Sequence, residues 1–490
     1  MTLRMLPAAL ALLASPLAAQ QAAENAKTYL DRIAALDDAG PNLNAVIAIN
    51  ADAPEEAAEA EAAGLLLAGR TVLVKDNIET RELPTTAGSL ALAGNHTGRD
   101  APLIANLRAN GGVVLGKANL SEWANFRSTN STSGWSAVGG LTRNPHATDR
   151  NTCGSSSGSG AAVAAQLTWA AIGTETDGSI ICPASINGVV GFKPTLGMVS
   201  RTHIVPLSAS QDTAGPMARS VADAALLLTA IAGADPADPA TAEAAKHLTD
   251  FTEGLETASL QGVRIGVLRN RAGPREDVKD LFEAALADME AAGAVLVDIE
   301  VETDDSMYND EYTVLLYEFR RDIAPYLQSL PGDGFPRDLA GLISSNSANA
   351  PEELRWFGQE IFTLALETTD EQAYRTARAN SLRLAGEEGI DALLARHDVA
   401  LLVAPSQGPT WPSDLVNGDH FTGGYGLGSY AAIAGYPHLT VPMGAVERLP
   451  VGLSFIGGKW DDHAILKAGA AYERVRSGVL AKPGYEPWSP

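Results

Sequence analysis

The chain has 490 residues, 46% hydrophobic and 19% charged, enough to bury a large core as one big domain or a few smaller ones. Asp plus Glu outnumber Lys plus Arg by 59 to 35, and the net charge of −24 disfavours nucleic acid and anionic membranes as partners. The composition is that of a folded chain, and only two cysteines, Cys153 and Cys182, rule out a disulfide scaffold.

The N-terminus reads "MTLRMLPAALALLASPLAAQ": one early charge at Arg4, a short apolar run, then small residues. That order predicts a secretory signal peptide over 1–19, cleaved after Ala19, and export of a mature chain spanning 20–490. No other apolar run reaches the roughly 18 to 20 residues of a spanning helix, so no membrane partner is expected after cleavage.

From Gln21 to about Ala63 the pattern is helical and acidic, interrupted by "PNLNAVIAIN", a short strand. "GRTVLVKDNIE" (69–79) predicts a buried strand entering a polar segment. "DAPLIANLRANGGVVLGKAN" (100–119) reads as helix, Gly-Gly stop and strand, one step of a layered α/β fold. Beyond the loop "NTCGSSSGSGAA" (151–162), "AAVAAQLTWAAIGTETDGSI" predicts a small-residue helix, a strand and a polar turn. "INGVVGFKPTLGMVSR" supplies another strand and a Pro/Gly turn. Between about 250 and 395 the apolar residues recur at threes and fours in charged segments, which predicts a helical insertion. From Val399 strands return in "VALLVAPSQGP", "YPHLTVPMG" and "PVGLSFIGG", in the style of the first half, so both blocks are expected to share one sheet.

Three features bear on chemistry. Residues 154–158 fit the G-x-S-x-G pattern centred on Ser156, but a nucleophile elbow needs a strand directly before it, and "LTRNPHATDRNTC" is not one. A second loop, "GTETDGSIICPAS" (173–185), sets glycines around a polar run, so that backbone N–H groups can converge as an oxyanion hole requires. Lys75 ends an apolar strand, where burial would lower its pKa and make it a base. It could equally pair with a carboxylate such as Asp76. Lys117 in "VVLGKAN" and Lys193 in "GFKPT" have similar settings, and pattern alone does not choose among the three.

"CGSSSGSGAAVAA", "GTETDGSIICPASINGVVGFKPTLGMVSR" and "SQDTAGPMARSVADA", in this order, resemble the amidase signature family. The likeness covers about 25–232 and 399–475. It implies an α/β fold with a large mixed sheet between helices and a Ser-cisSer-Lys triad, with no metal or cofactor. Carried over by motif, the nucleophile falls on Ser179, the bridging serine after a cis peptide on Ser155, and the base on Lys75. Ser155 and Ser179 stand 24 residues apart, as in the family. The resemblance further implies an oxyanion hole from the backbone N–H groups of Thr176, Asp177, Gly178 and Ser179. It places Asn125 in the acyl pocket and leaves Ser156 a structural role. It requires no histidine, and His438 reads as a loop or core residue. "TETDGSIICPA", "LPTTAGSLALAGNH" and "NLSEWANFRS" are closest to the branch that removes C-terminal amides from peptides. The family's usual Gly-Gly-Ser is here Asp177-Gly178-Ser179, and the carboxylate would favour neutral amides. With the two serines in contact, a Cys153–Cys182 bridge becomes geometrically possible.

Overall fold

In the computed structural model, which describes residues 16–489, the apolar runs picked out above become strands of one sheet. In chain order the strands are β1 (Val46–Ile49), β2 (Thr71–Lys75), β3 (Val113–Ala118), β4 (Trp135–Ser136), β5 (Gly140–Leu141), β6 (Ala170–Glu175) and β7 (Val190–Lys193). They continue with β8 (Thr213–Ala218), β9 (Arg264–Val267), β10 (Val295–Asp298), β11 (Leu401–Pro405), β12 (His438–Val446) and β13 (Leu449–Ile456). Strands β4 and β5 pair only with each other, and the other eleven run β1-β3-β2-β6-β8-β7-β12-β13-β11-β9-β10. The expected mixed sheet is therefore present, and the pairing of β12 with β7 joins the two halves of the chain.

Strands β2, β3 and β6 are buried along their whole length, which is why they read as continuous apolar runs. Alternate residues serve the two faces. Val72, Val74, Ala170 and Ile172 pack on one side with the helix Val221–Ile231, while Leu73 and Ala171 pack on the other with the helix Ser157–Ala164. Each buried Val, Leu or Ile side chain stabilises by about 1.5–3 kcal/mol. The small residues of Ser157–Ala164 are all but one fully buried, so this helix lies close against the sheet and carries the Gly/Ser loop at its N-terminus.

The segment 250–395 differs from the expected helical insertion. It begins with β9, the helix Glu276–Ala291 and β10, and both strands join the sheet edge beside β11. The strong helical period of "EDVKDLFEAALADMEA" masked the short strands on either side of it, whose alternation spans only four residues each. From Ser306 to His397 the segment is helical as expected, starting with the long helix Ser306–Ser329.

The predicted leader lies outside the described residues as far as residue 15, and a helix spans Pro16–Leu36. Among the described residues no helix is long and apolar enough to cross a membrane.

Candidate active site

Lys75 closes β2 with its side chain fully buried. Its Nζ reaches Ser155 Oγ at 2.8 Å, Thr174 Oγ1 at 2.9 Å and Thr174 O at 3.1 Å. Burial lowers its pKa to about 7, against the opposing pull of the Asp212 and Glu175 carboxylates. At neutral pH a substantial share of such a side chain carries a free lone pair.

The other two lysines are engaged elsewhere. Lys117 Nζ pairs with Asp76 Oδ1 at 2.9 Å and donates to Ile78 O and Thr85 Oγ1 at 2.8 and 2.9 Å. Lys193 Nζ donates to the carbonyl of Tyr436. Asp76, the carboxylate next to Lys75 in sequence, is thus occupied by Lys117, and Lys75 is in contact with hydroxyl and carbonyl oxygens only.

Ser155 is fully buried and follows a cis peptide bond with Gly154. A side chain on Gly154 would collide with Ser121 Oγ, so the close turn needs glycine here. The loop is fixed by Ser121 N–H donating to Ser155 O at 3.0 Å and Ser157 Oγ donating to Cys153 O at 2.6 Å. Ser156 does not face a substrate. Its buried Oγ donates to Thr174 O at 3.0 Å and accepts from Thr174 N–H at 3.1 Å, holding the loop to β6. Its own N–H donates to Ser179 O at 3.1 Å, which brings the second loop alongside the first.

Glu175, the last residue of β6, shapes that second loop. Its Oε2 accepts from Ile180 N–H at 2.7 Å and Ile181 N–H at 3.0 Å. The chain between is folded into a turn with Gly178 at φ +77°, a region that favours glycine. Among the described residues the N–H groups of Thr176, Asp177, Gly178 and Ser179 donate to no protein acceptor, so they are free to receive an anionic oxygen. Ser179 is 8% exposed and precedes the helix Ile181–Ile186. Between the Ser155 and Ser179 hydroxyls there is no direct hydrogen bond, so of the expected relay only the Lys75–Ser155 half is closed.

A cavity of about 460 Å³ opens over these loops, its walls including Gly154, Asp177 and Gly178. Asn125 lies on the wall, donating from Nδ2 to Ser133 Oγ at 2.8 Å. Cys153 and Cys182 also line it and are joined as a disulfide with Cα atoms 5.9 Å apart. Asp177 is half-buried there, and burial with the nearby Glu175 charge raises its carboxyl to about 6, opposed by a Ser429 hydrogen bond. His438 sits in β12 rather than a loop, buried on the cavity wall with Nε2 at 2.7 Å from Ser454 Oγ. Burial and the Lys193 charge push it to about 3, so it is neutral.

Thr174, Glu175 and Asp212 carry much of this geometry, and residue pattern alone gave none of them a role. Thr174 and Glu175 lie inside the singled-out loop, but a threonine at a strand end has no chemical signature of its own. Among the described residues no three His, Cys, Asp or Glu side chains converge as a metal cluster.

A lysine poised near neutrality on one serine, with a second serine beneath unpaired amides, is suited to acyl transfer through serine with lysine as base. A hydrolase of amide bonds, built on a mixed α/β sheet, is the class that fold and site define together. The chain belongs to the amidase family, whose model matches residues 24–466. The native peptide amidase from Stenotrophomonas maltophilia has a similar structure, with a TM-score of 0.89 at 48% identity over 95% of each chain. An amidase family protein from Bacillus anthracis has a TM-score of 0.84 at 34% identity, covering 94% of this chain and 88% of that one. A probable amidase of Arabidopsis thaliana is 36% identical over 474 residues, 93% of this chain and 86% of that one.

Proposed function

We propose that this amidase hydrolyses the C-terminal amide of peptides to the free acid and ammonia. In this reading Ser179 Oγ attacks the amide carbonyl while its proton passes through Ser155 to neutral Lys75. The oxyanion is received by the N–H groups of Thr176, Asp177, Gly178 and Ser179. Lys75 and Ser155 then return the proton to the departing nitrogen, ammonia leaves, and water attacks the acyl-serine along the same route. The observation that carries the reading is the 2.8 Å contact between a fully buried Lys75 and Ser155. The 48% identity to a peptide amidase supports the choice of substrate.

Asp177 on the cavity wall would disfavour a free C-terminal acid, so the product would be released rather than retained. Asn125 would contact the acyl portion from the opposite loop. The N-terminal charge and apolar pattern, with the Cys153–Cys182 disulfide, support export to an oxidising compartment. N-terminal sequencing of secreted protein tests that part, with a start at Gln20 expected.

The substrate is tested by mass spectrometry of neutral peptide amides incubated with the protein and with Lys75→Ala. The expected result is amide-to-acid conversion with ammonia released, and none with the variant. Intact peptides alongside turnover of small aliphatic or aryl amides would replace peptide amides with that simpler substrate class. Undiminished turnover by Lys75→Ala would refute the triad.

A further inference from the structure

The motif "SQDTAG" (210–215) has no part in the proton relay, yet two of its side chains hold the loop that carries Ser179. Asp212 Oδ1 accepts from Thr176 Oγ1 at 2.6 Å, and Gln211 Nε2 donates to Thr176 O at 3.3 Å. Thr176 is thereby gripped by its hydroxyl and by its carbonyl, at the point where the chain leaves β6 and the unpaired amides begin. The grip is itself anchored. Asp212 Oδ2 accepts from Leu207 N–H and Ser208 N–H, both at 2.8 Å, and Gln211 Nε2 also donates to Glu311 Oε1 at 2.8 Å. Ser208 Oγ donates to Glu318 Oε2 at 2.6 Å. Glu311 and Glu318 both belong to the helix Ser306–Ser329, so the segment is fastened to the insertion.

Sheet order adds a second effect. The end of β6 lies between β2, which ends in Lys75, and β8, which begins just after Asp212. From that position the Asp212 carboxylate, like that of Glu175, favours the charged form of Lys75. The other charged groups around it are Arg201, which acts on Asp212 and is held by Asp238, and Glu318 beyond.

We infer that Asp212 is a positioning residue for the reaction proposed above: with Gln211 it fixes Thr176 at the head of the oxyanion loop, and its charge tunes the base Lys75. The two effects separate by readout, kcat for the grip and the pH profile for the charge. Thr176→Val removes the gripped hydroxyl and leaves the carboxylate in place. Asp212→Asn keeps the size and removes the charge.

The experiment is the pH dependence of kcat and kcat/KM for a neutral peptide amide, or for whichever amide the wild type turns over, with Lys75→Ala as a control. Thr176→Val is expected to lower kcat about tenfold, as the loss of one hydrogen bond to a charged acceptor does, and to move the acidic limb of the kcat/KM profile no further than Asp212→Asn does, because the lost donor also raises the Asp212 carboxyl. Asp212→Asn is expected to lower kcat as well and to move that limb to lower pH by about half a unit or more, because neutral Lys75 then persists further into acid. A purely structural Asp212 would leave the limb where it is, and that result overturns the tuning role. An unchanged kcat in Thr176→Val overturns the grip, and this variant keeps every buried charge should Asp212→Asn fail to fold. Activity in Lys75→Ala would instead refute the triad on which the inference rests.

Discussion

Lys75→Met replaces a fully buried ammonium stem by an apolar one of similar length, and its effect on stability should depend on pH through the titration of that side chain. In the folded protein Lys75 titrates at about 7, against an ordinary value of 10.5. Between those values the unfolded chain binds one more proton than the folded one, so wild-type stability rises with pH by about 1.4 kcal/mol per pH unit from this side chain alone. Below pH 7 the lysine is charged in both states and its contribution is fully lost, a total of about 5 kcal/mol relative to pH 10.5 and above. Groups that do not feel the Lys75 charge cancel in the difference, and Asp212, which does, titrates at about 6, at the acid end of the range. Urea unfolding of wild type and Lys75→Met at pH 6, 8 and 9.5 should therefore give curves that converge as pH rises. The variant gains most at pH 6 and loses that advantage by about 3 kcal/mol at pH 9.5. The same variant should lose about 10²- to 10⁴-fold in kcat, as expected for removal of a general base. Stability curves that stay parallel would refute the claim that burial depresses Lys75, even if activity is lost.

Ser179→Ala should abolish turnover and any acyl-enzyme seen by intact mass, while Ser156→Ala keeps an acyl-enzyme but loses about 1–3 kcal/mol of stability by leaving Thr174 N–H unpaired and Thr174 O with Lys75 alone. The reverse pattern would restore Ser156 as nucleophile. Converting Cys153 and Cys182 together to Ala should cost about 2–4 kcal/mol in chemical denaturation, and a free-thiol titre of two in the unfolded wild type would show the bridge is not made. Lys117→Met should destabilise by about 3–5 kcal/mol, because it strands the buried Asp76 carboxylate. A stable Lys117→Met with unchanged kcat would show that the Thr86 N–H and hydroxyl, which also donate to Asp76, suffice to hold it. Asp177→Asn should narrow the preference for neutral over acidic substrates in kcat/KM, and an unchanged ratio would remove its part in selectivity.

Strands such as "TVLVK" and "VVLGKA" were legible because residues buried on both sheet faces leave an unbroken apolar run. β9 and β10 were not, since four residues beside a sixteen-residue amphipathic helix carry too little period of their own. The site divides along a similar line. The two serine loops declared themselves by glycine and hydroxyl density. The choice among Lys75, Lys117 and Lys193 depended on which carboxylate or carbonyl each meets, and those partners lie up to 243 residues away. Asp212 was hidden for the same reason, its partner Thr176 lying 36 residues off across a strand pair.

The three oxygens around Lys75 Nζ have a consequence for its two protonation states. An ammonium has three hydrogens and no lone pair, so Ser155 Oγ, Thr174 Oγ1 and Thr174 O satisfy it completely. A neutral amine has two hydrogens and one lone pair, so one contact must reverse direction. The Thr174 carbonyl has no hydrogen to offer, but either hydroxyl can turn its own toward the nitrogen, and Thr174 Oγ1 is free to do so while it accepts from Asn77 at 3.0 Å. The cradle therefore accommodates gain and loss of a proton by rotating O–H bonds, with every heavy atom left where it stands. A base held this way needs no rearrangement of its surroundings between one turnover and the next.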